Sequence, residues 1–183
     1  PYTPEEVISR NFILDEKPDG IINIVDATNL ERNLYLTTQI LEMDVPVIVA
    51  LNMMDEVEKV GDSIDVKALE RAIGVPVVAI SALRKKGIKE LMDRAIAMNP
   101  QRKGTTVLGG DLAPKIERAK QFFAATDVSS PLFHAIKMLE GDEIELRHEG
   151  AKELFTEISA GQDMEATVAD ARYKYISAHF FTA

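Results

Sequence analysis

Apolar residues recur along this chain in two rhythms, and the change from one to the other divides it. Up to about Ala97, short apolar runs of strand length alternate with stretches whose apolar positions fall three and four apart. Thr3-Pro4-Glu5-Glu6 opens the first such stretch: Thr3 suits an N-cap, Pro4 the first helical position, and Glu6 completes a capping box. That helix is predicted to reach about Leu14 and to stop near Lys17-Pro18-Asp19-Gly20. Ile21–Val25 follows as an apolar, β-branched run, hence a buried strand. A helix then starts near Leu30, with Asn29 as its cap and Leu30, Leu34 and Leu41 on one face. Pro46–Leu51 and Pro76–Ile80 repeat the strand signal. Between them Val66, Leu69 and Ile73 mark a helical face that Asp65 can cap. Ile88, Leu91, Met92, Ala95 and Ile96 close the series as a helical stripe. Strands this continuously apolar, separated by helices, imply a parallel sheet covered on both faces.

Beyond Ala97 the strand signal disappears. Asn99-Pro100-Gln101-Arg102-Lys103-Gly104 and Gly109-Gly110 read as a polar linker. Leu112, Ile116, Ala119 and Phe123 then form a helical stripe, as do Leu132, Ala135, Ile136 and Leu139, with Pro131 in first-turn position after Ser129 and Ser130. Further helices are predicted from about Glu149 to Ser159 and from about Met164 to Phe180. The expected organisation is an α/β part over residues 1–98, a linker over 99–112 and an all-helical part over 113–183.

Composition narrows the function classes. Net charge is −9, from 21 Lys and Arg against 30 Asp and Glu, which argues against a nucleic-acid partner because phosphates are met by clustered cations. Arg84, Lys85, Lys86 and Lys89 are too few to change that and read as a solvated loop. Cysteine is absent, which excludes disulfides, thiolate metal sites and cysteine nucleophiles. No stretch is long and apolar enough for a membrane span, and the N-terminus has no signal-peptide pattern. It also lacks an initiator Met, so the sequence reads as part of something longer.

Chemistry concentrates at two strand ends, where ligands of open α/β sheets bind. The second strand runs into Asn52-Met53-Met54-Asp55 and the third into Ser81-Ala82-Leu83. An Asn-x-x-Asp turn at one strand end with Ser-Ala at the next resembles the guanine-recognition elements of the GTPase superfamily. The residue types suit that task. Guanine presents a ring N–H beside an exocyclic NH₂, and one carboxylate, here Asp55, can accept from both. Adenine lacks this donor pair and would leave the carboxylate unpaired. The Asn52 amide can brace the neighbouring loop and approach the other edge of the purine, while backbone N–H groups of Ser81, Ala82 and Leu83 can donate to the guanine carbonyl. Met53 stands where most GTPases carry Lys; its thioether chain can supply the same apolar contact along the base, without the charge.

Ile22-Asn23-Ile24-Val25-Asp26-Ala27-Thr28-Asn29-Leu30-Glu31-Arg32-Asn33-Leu34-Tyr35-Leu36, followed by Ala50-Leu51-Asn52-Met53-Met54-Asp55, resembles the ferrous iron transport protein B family. Leu139-Glu140-Gly141-Asp142 and Ala169-Asp170-Ala171-Arg172-Tyr173 are similar to a turn and to the final cytoplasmic helix of that family. The resemblance implies a partial GTPase-type three-layer domain with parallel strands, followed by an all-helical domain that supports nucleotide binding. It also implies GTP or GDP as ligand, a downstream membrane portion that moves Fe²⁺, and a place at the cytoplasmic face of the bacterial inner membrane. Base recognition then falls to Asn52, Met53, Met54 and Asp55, with Ser81, Ala82 and Leu83. No residue here matches the Gly-rich phosphate loop, the first switch or the magnesium-linked motif, so Mg²⁺ is expected only with an upstream part. The chain alone is expected not to hydrolyse GTP. The family's sheet has three more strands, which should cover the edge beside Ile21–Val25; uncovered, that edge is an aggregation hazard.

Other features read more plainly. His134, His148 and His179 have no mutual spacing that suggests a metal site, and no metal ligand is assigned. Glu140, Asp142, Glu143 and Glu145 suit hard cations by type but read as a solvated acidic turn. Asp26-Ala27-Thr28-Asn29 reads as a helix cap. Ala169, Arg172, Tyr173, Ile176 and Phe180 share a face that packs inward, docks on the membrane portion, or forms a homo-oligomer. The competing functional reading is a helical protein-interaction module beside an α/β remnant that binds no nucleotide.

Overall fold

The computed structural model describes residues 3–181. Helix α1, Pro4–Asn11, starts with the capping box read from the sequence: the Thr3 side chain accepts from the Glu6 N–H, and Glu6 reaches back to the Thr3 N–H. The helix continues through a wider turn, Phe12–Glu16, and ends where Lys17 turns left-handed at φ 48°. Strands β1 (Ile21–Asp26), β2 (Val47–Asn52) and β3 (Val77–Ala79) form one parallel sheet in the order β1-β2-β3. Between β1 and β2 lie a 3₁₀ turn, Ala27–Asn29, and helix α2, Leu30–Ile40. Between β2 and β3 lie α3, Met54–Lys59, and α4, Val66–Ile73; α5, Ile88–Ile96, follows β3.

Helices α6 (Leu112–Ala124), α7 (Pro131–Leu139), α8 (Ala151–Ser159) and α9 (Met164–Tyr175) make up the rest, with a 3₁₀ turn at Glu145–Arg147 and a wider closing turn at Ile176–Phe180. The chain forms two compact units, each assembled from separate segments. One comprises Pro1–Pro18, Leu41–Asp44 and Lys103–Arg172; the other comprises Asp19–Ile40, Val45–Arg102 and Tyr173–Ala183. The α1 segment therefore belongs with residues far along the chain rather than with the strand that follows it.

In the sheet-containing unit, β2 is buried along Val47–Leu51 because it is the central strand. Ile48 and Ala50 pack with Val78, Ile80 and Leu91, while Ile88, Ala95 and Met98 flank them. Strand β1 differs from the expected buried strand: Asn23 and Val25 are buried, whereas Ile22 and Ile24 are 40% and 63% exposed. Alternate side chains of a strand point to opposite faces, and the face of β1 that carries Ile22 and Ile24 is less covered than the face that carries Asn23 and Val25. Asn23 is satisfied on the inner face, where its Oδ1 accepts from Thr37 Oγ1 at 2.6 Å. In α5 the expected stripe is only partly inward. Leu91 is buried, but Met92 and Ile96 are exposed. Asp65 caps α4 as expected, accepting from the Ala68 N–H at 3.0 Å.

In the other unit the stripe Leu112, Ile116, Ala119 and Phe123 is wholly buried, and it joins Leu132, Ala135, Ile136 and Leu139 in one core. Leu108 enters that core too, although it lies in the segment read as a polar linker. Pro131 occupies the first turn of α7 as predicted. The preceding Ser130 adopts a left-handed backbone without capping the helix. Its hydroxyl instead accepts from the Asp44 N–H at 2.8 Å.

Candidate functional site

The parallel register sets Asp26 opposite Asn52 and Leu51 opposite Ala79, so the strands end together along one rim. Backbone bonds lace the ends: the Ile80 N–H donates to the Leu51 carbonyl at 2.8 Å, and the Met54 N–H donates to the Ile80 carbonyl at 3.4 Å. The rim carries both candidate segments. Asn52 Oδ1 accepts from the Ala82 N–H at 3.0 Å, joining the turn after β2 to the turn after β3.

Met53 turns the chain at the rim with a left-handed backbone, φ 65° and ψ 29°, a conformation that costs a residue with a side chain roughly 1–2 kcal/mol. This reversal starts α3 at Met54 and puts Asp55 in its first turn. Burial opposes ionisation of the Asp55 carboxyl. The Ser81 hydroxyl, its own backbone N–H and Arg84 outweigh that effect, so its pKa lies below the usual carboxylate range. Arg84 Nε donates to Asp55 Oδ2 at 3.3 Å. Asp55 is thus a shielded, ionised acceptor, as recognition of paired N–H donors requires.

The second turn is closed by its own bonds. Ser81 and Lys86 exchange backbone hydrogen bonds of 3.1 and 3.0 Å, and Ser81 Oγ accepts from the Arg84 N–H at 3.2 Å. Gly87 completes it with φ 77°, and a Cβ there would collide with the Ala79 carbonyl. The Ser81 N–H already donates to Lys86 and the Ala82 N–H to Asn52, so the turn does not offer three idle donors. The Leu83 N–H makes no backbone hydrogen bond among the described residues, and its side chain is exposed.

All seven predicted residues therefore lie on one rim, with Met53 and Leu83 exposed and Ser81 buried beneath them. Arg84 is the member that sequence reading assigned to a solvated loop. Nothing in a short basic run signals that one of its members meets a carboxylate delivered by the first turn of α3. Asp26 caps the 3₁₀ turn by accepting from the Thr28 N–H at 2.8 Å and from its hydroxyl at 2.6 Å. This is the capping expected of the Asp26–Asn29 segment, and the extended backbone of Asp26 leaves its carboxylate free to fold over the turn.

Residues 1–95 match the family model described as ferrous iron transport protein B. A fused Fe(2+) transport protein A/Fe(2+) transporter FeoB of Porphyromonas gingivalis is 33% identical over 202 residues, covering 97% of this chain and 24% of that protein. The Fe(2+) transporter FeoB of Salmonella typhimurium is 38% identical over 185 residues, covering 95% and 24%. Among solved structures, an S. thermophilus NFeoB variant bound to mGDP superposes with a TM-score of 0.91 at 34% identity, covering all of this chain and 76% of that one. S. thermophilus NFeoB bound to GDP, AlF4⁻ and K⁺ gives 0.89 at 34% identity, covering 99% and 76%. The chain thus spans 24% of the length of these transporters, and the likeness runs through nearly all of its own. With the family model covering residues 1–95 and the rim built as described, the chain belongs to the ferrous iron transport protein B family.

Proposed function

We propose that this chain is the base-recognition portion, with an accompanying helical regulatory domain, of a guanine-nucleotide-binding region in a bacterial ferrous iron transporter. Asp55 accepts the ring N–H and the exocyclic NH₂ of guanine, and Asn52 braces the Ser81–Leu83 turn while its amide faces the other edge of the purine. Met53 lies along the base. The Leu83 N–H, with the Ala82 N–H shared between Asn52 and ligand, donates to the guanine carbonyl. GTP or GDP is the ligand. Mg²⁺ enters with phosphate-binding residues that this chain does not supply. The membrane portion of the same transporter is the partner, at the cytoplasmic face of the inner membrane.

One observation carries this reading: the Asn52–Ala82 bond of 3.0 Å ties the two recognition turns at a single rim beside an ionised Asp55. The nucleotide-bound relatives of S. thermophilus support it. A fluorescent guanine-nucleotide titration tests it, on this chain and on a longer version extended upstream. Asp55→Asn should exchange guanine for xanthine preference, because an amide can donate to the second xanthine carbonyl. With two charge-assisted hydrogen bonds at stake, guanine affinity should fall about 100-fold or more. If the longer protein ignored GDP and GTP, the reading would fail and the interaction-module alternative would stand. Retained guanine selectivity in Asp55→Asn would remove Asp55 from its role.

A further inference from the structure

Three potential metal ligands from one 15-residue stretch, His134 to His148, meet inside the helical unit. His134 comes from α7, Glu145 from the 3₁₀ turn and His148 from the residue just after that turn. His134 Nδ1 lies 2.8 Å from each Glu145 carboxylate oxygen, and His148 Nε2 lies 3.6 Å from Oε2. The three ligand atoms fall within 4.8 Å of one another. Glu145 is fully buried and His134 nearly so, whereas the His148 side chain is 33% exposed and opens the cluster to solvent. Spacing along the sequence gave no hint of this, because two turns of backbone fold His148 back over α7.

The rings are held in place. Phe123 stacks on His134 with centroids 5.5 Å apart and meets His148 edge-on at 5.3 Å. Arg10, from α1, binds Glu145 through Oε1, which leaves Oε2 turned to the two imidazoles. We propose that His134, Glu145 and His148 bind a divalent first-row transition ion of the Zn²⁺, Fe²⁺ and Co²⁺ class, with Arg10 as the outer partner that orients the carboxylate. Two imidazoles and a carboxylate suit such ions, whereas Mg²⁺ and Ca²⁺ prefer all-oxygen shells. Ligand bonds of about 2.0–2.2 Å put neighbouring donor atoms roughly 3 Å apart, close to the 2.8 and 3.6 Å that separate Glu145 Oε2 from His134 and His148; the two imidazole nitrogens, within 4.8 Å of each other, draw together as the ion binds. A hydrogen bond from Arg10 to the non-ligating oxygen is the usual outer support of a metal carboxylate. The partly exposed side of His148 provides the entry path and leaves room for water as a further ligand. The Arg10 charge lowers affinity, so the site belongs to an exchangeable ion rather than a permanently trapped one.

A hydrogen bond between His134 and Glu145 gives a similar geometry without binding any metal, and metal titration separates the two. The tag-free, chelator-treated 183-residue chain should bind Zn²⁺ and Co²⁺ at one equivalent by calorimetry. Bound Co²⁺ should give visible ligand-field absorption, and Zn²⁺ should raise the melting temperature. His148→Ala and His148→Gln remove a ligand from the exposed side of the cluster and should weaken binding at least 10-fold while leaving far-UV circular dichroism intact. His179→Ala, outside the cluster, should bind as the parent does. No saturable one-to-one binding by the parent chain would overturn the proposal, as would unchanged affinity in either folded His148 variant. No nucleotide enters the experiment, so its result is separate from the fate of the guanine site.

Discussion

Arg172→Met removes the cation from the most deeply buried ion pair among the described residues, and its consequence can be worked from the geometry. Arg172 and Glu42 are both fully buried, and they are joined by two parallel hydrogen bonds of 2.8 and 2.7 Å. Thr106 Oγ1 donates to the same carboxylate at 2.8 Å. Burial raises the Glu42 pKa above the ordinary carboxylate value despite the opposing pull of Arg172 and the Thr106 hydroxyl. Losing one partner of such a pair leaves the other charge in a dry interior, which costs about 3–5 kcal/mol. For a protein of this size that corresponds to roughly 6–20 °C in melting temperature. The loss should also shrink in acid. A carboxyl with a raised folded-state pKa binds a proton more readily in the folded than in the unfolded chain, so stability falls as pH rises through that pKa and recovers below it. Urea denaturation of Arg172→Met between pH 8 and pH 5 measures both effects. Glu42→Leu with Arg172→Met removes both charges and should return to within about 2 kcal/mol of the parent. A single variant destabilised by less than about 1 kcal/mol, or a double variant no better than the single, would refute the reasoning.

Gly87→Ala forces a side chain onto a left-handed backbone and against the Ala79 carbonyl, so it should destabilise by about 1–3 kcal/mol. Nucleotide affinity in the upstream-extended protein should fall with it, whereas Gly61→Ala, which meets nothing within 4 Å, should cost only its backbone strain; melting curves and nucleotide titration check both. Glu70 accepts from the Val77 N–H at 2.9 Å and from Arg94 at 2.6 Å, and these bonds outweigh burial and lower its pKa. Its contribution is therefore present above the unfolded-state carboxylate pKa and is lost as pH falls through the lower folded-state value. Glu70→Gln should accordingly lower stability at pH 7 and flatten the acid limb of a pH-resolved urea series. An unchanged acid limb would count against the role of Glu70.

How far the sequence could be read differs between elements for physical reasons. The α1 capping box, the Asp65 cap and the α6 stripe were legible because each depends on residues within a turn or two of one another. Strand β1 was read as buried from its run of Ile and Val. Which of those residues meet a covering layer depends on elements elsewhere in the chain, and Ile22 and Ile24 are left 40% and 63% exposed. Helix α3 was missed because its six residues, Met54–Lys59, are too short and too polar for a periodic signal.

The sequence by itself determined the local grammar: where helices start, which runs become parallel strands, and that two motif-bearing turns leave successive strand ends. Those properties follow from backbone geometry and from side chains close together along the chain. Only the tertiary structure decided that Asn52 grips the Ala82 turn, that Arg84 meets Asp55, that Glu42 pairs with Arg172, and that His134, Glu145 and His148 converge. The first three of these contacts close long loops of chain, and the last depends on how the chain turns after α7. Burial stabilises such contacts in three dimensions, and no pattern of spacing along the sequence records them.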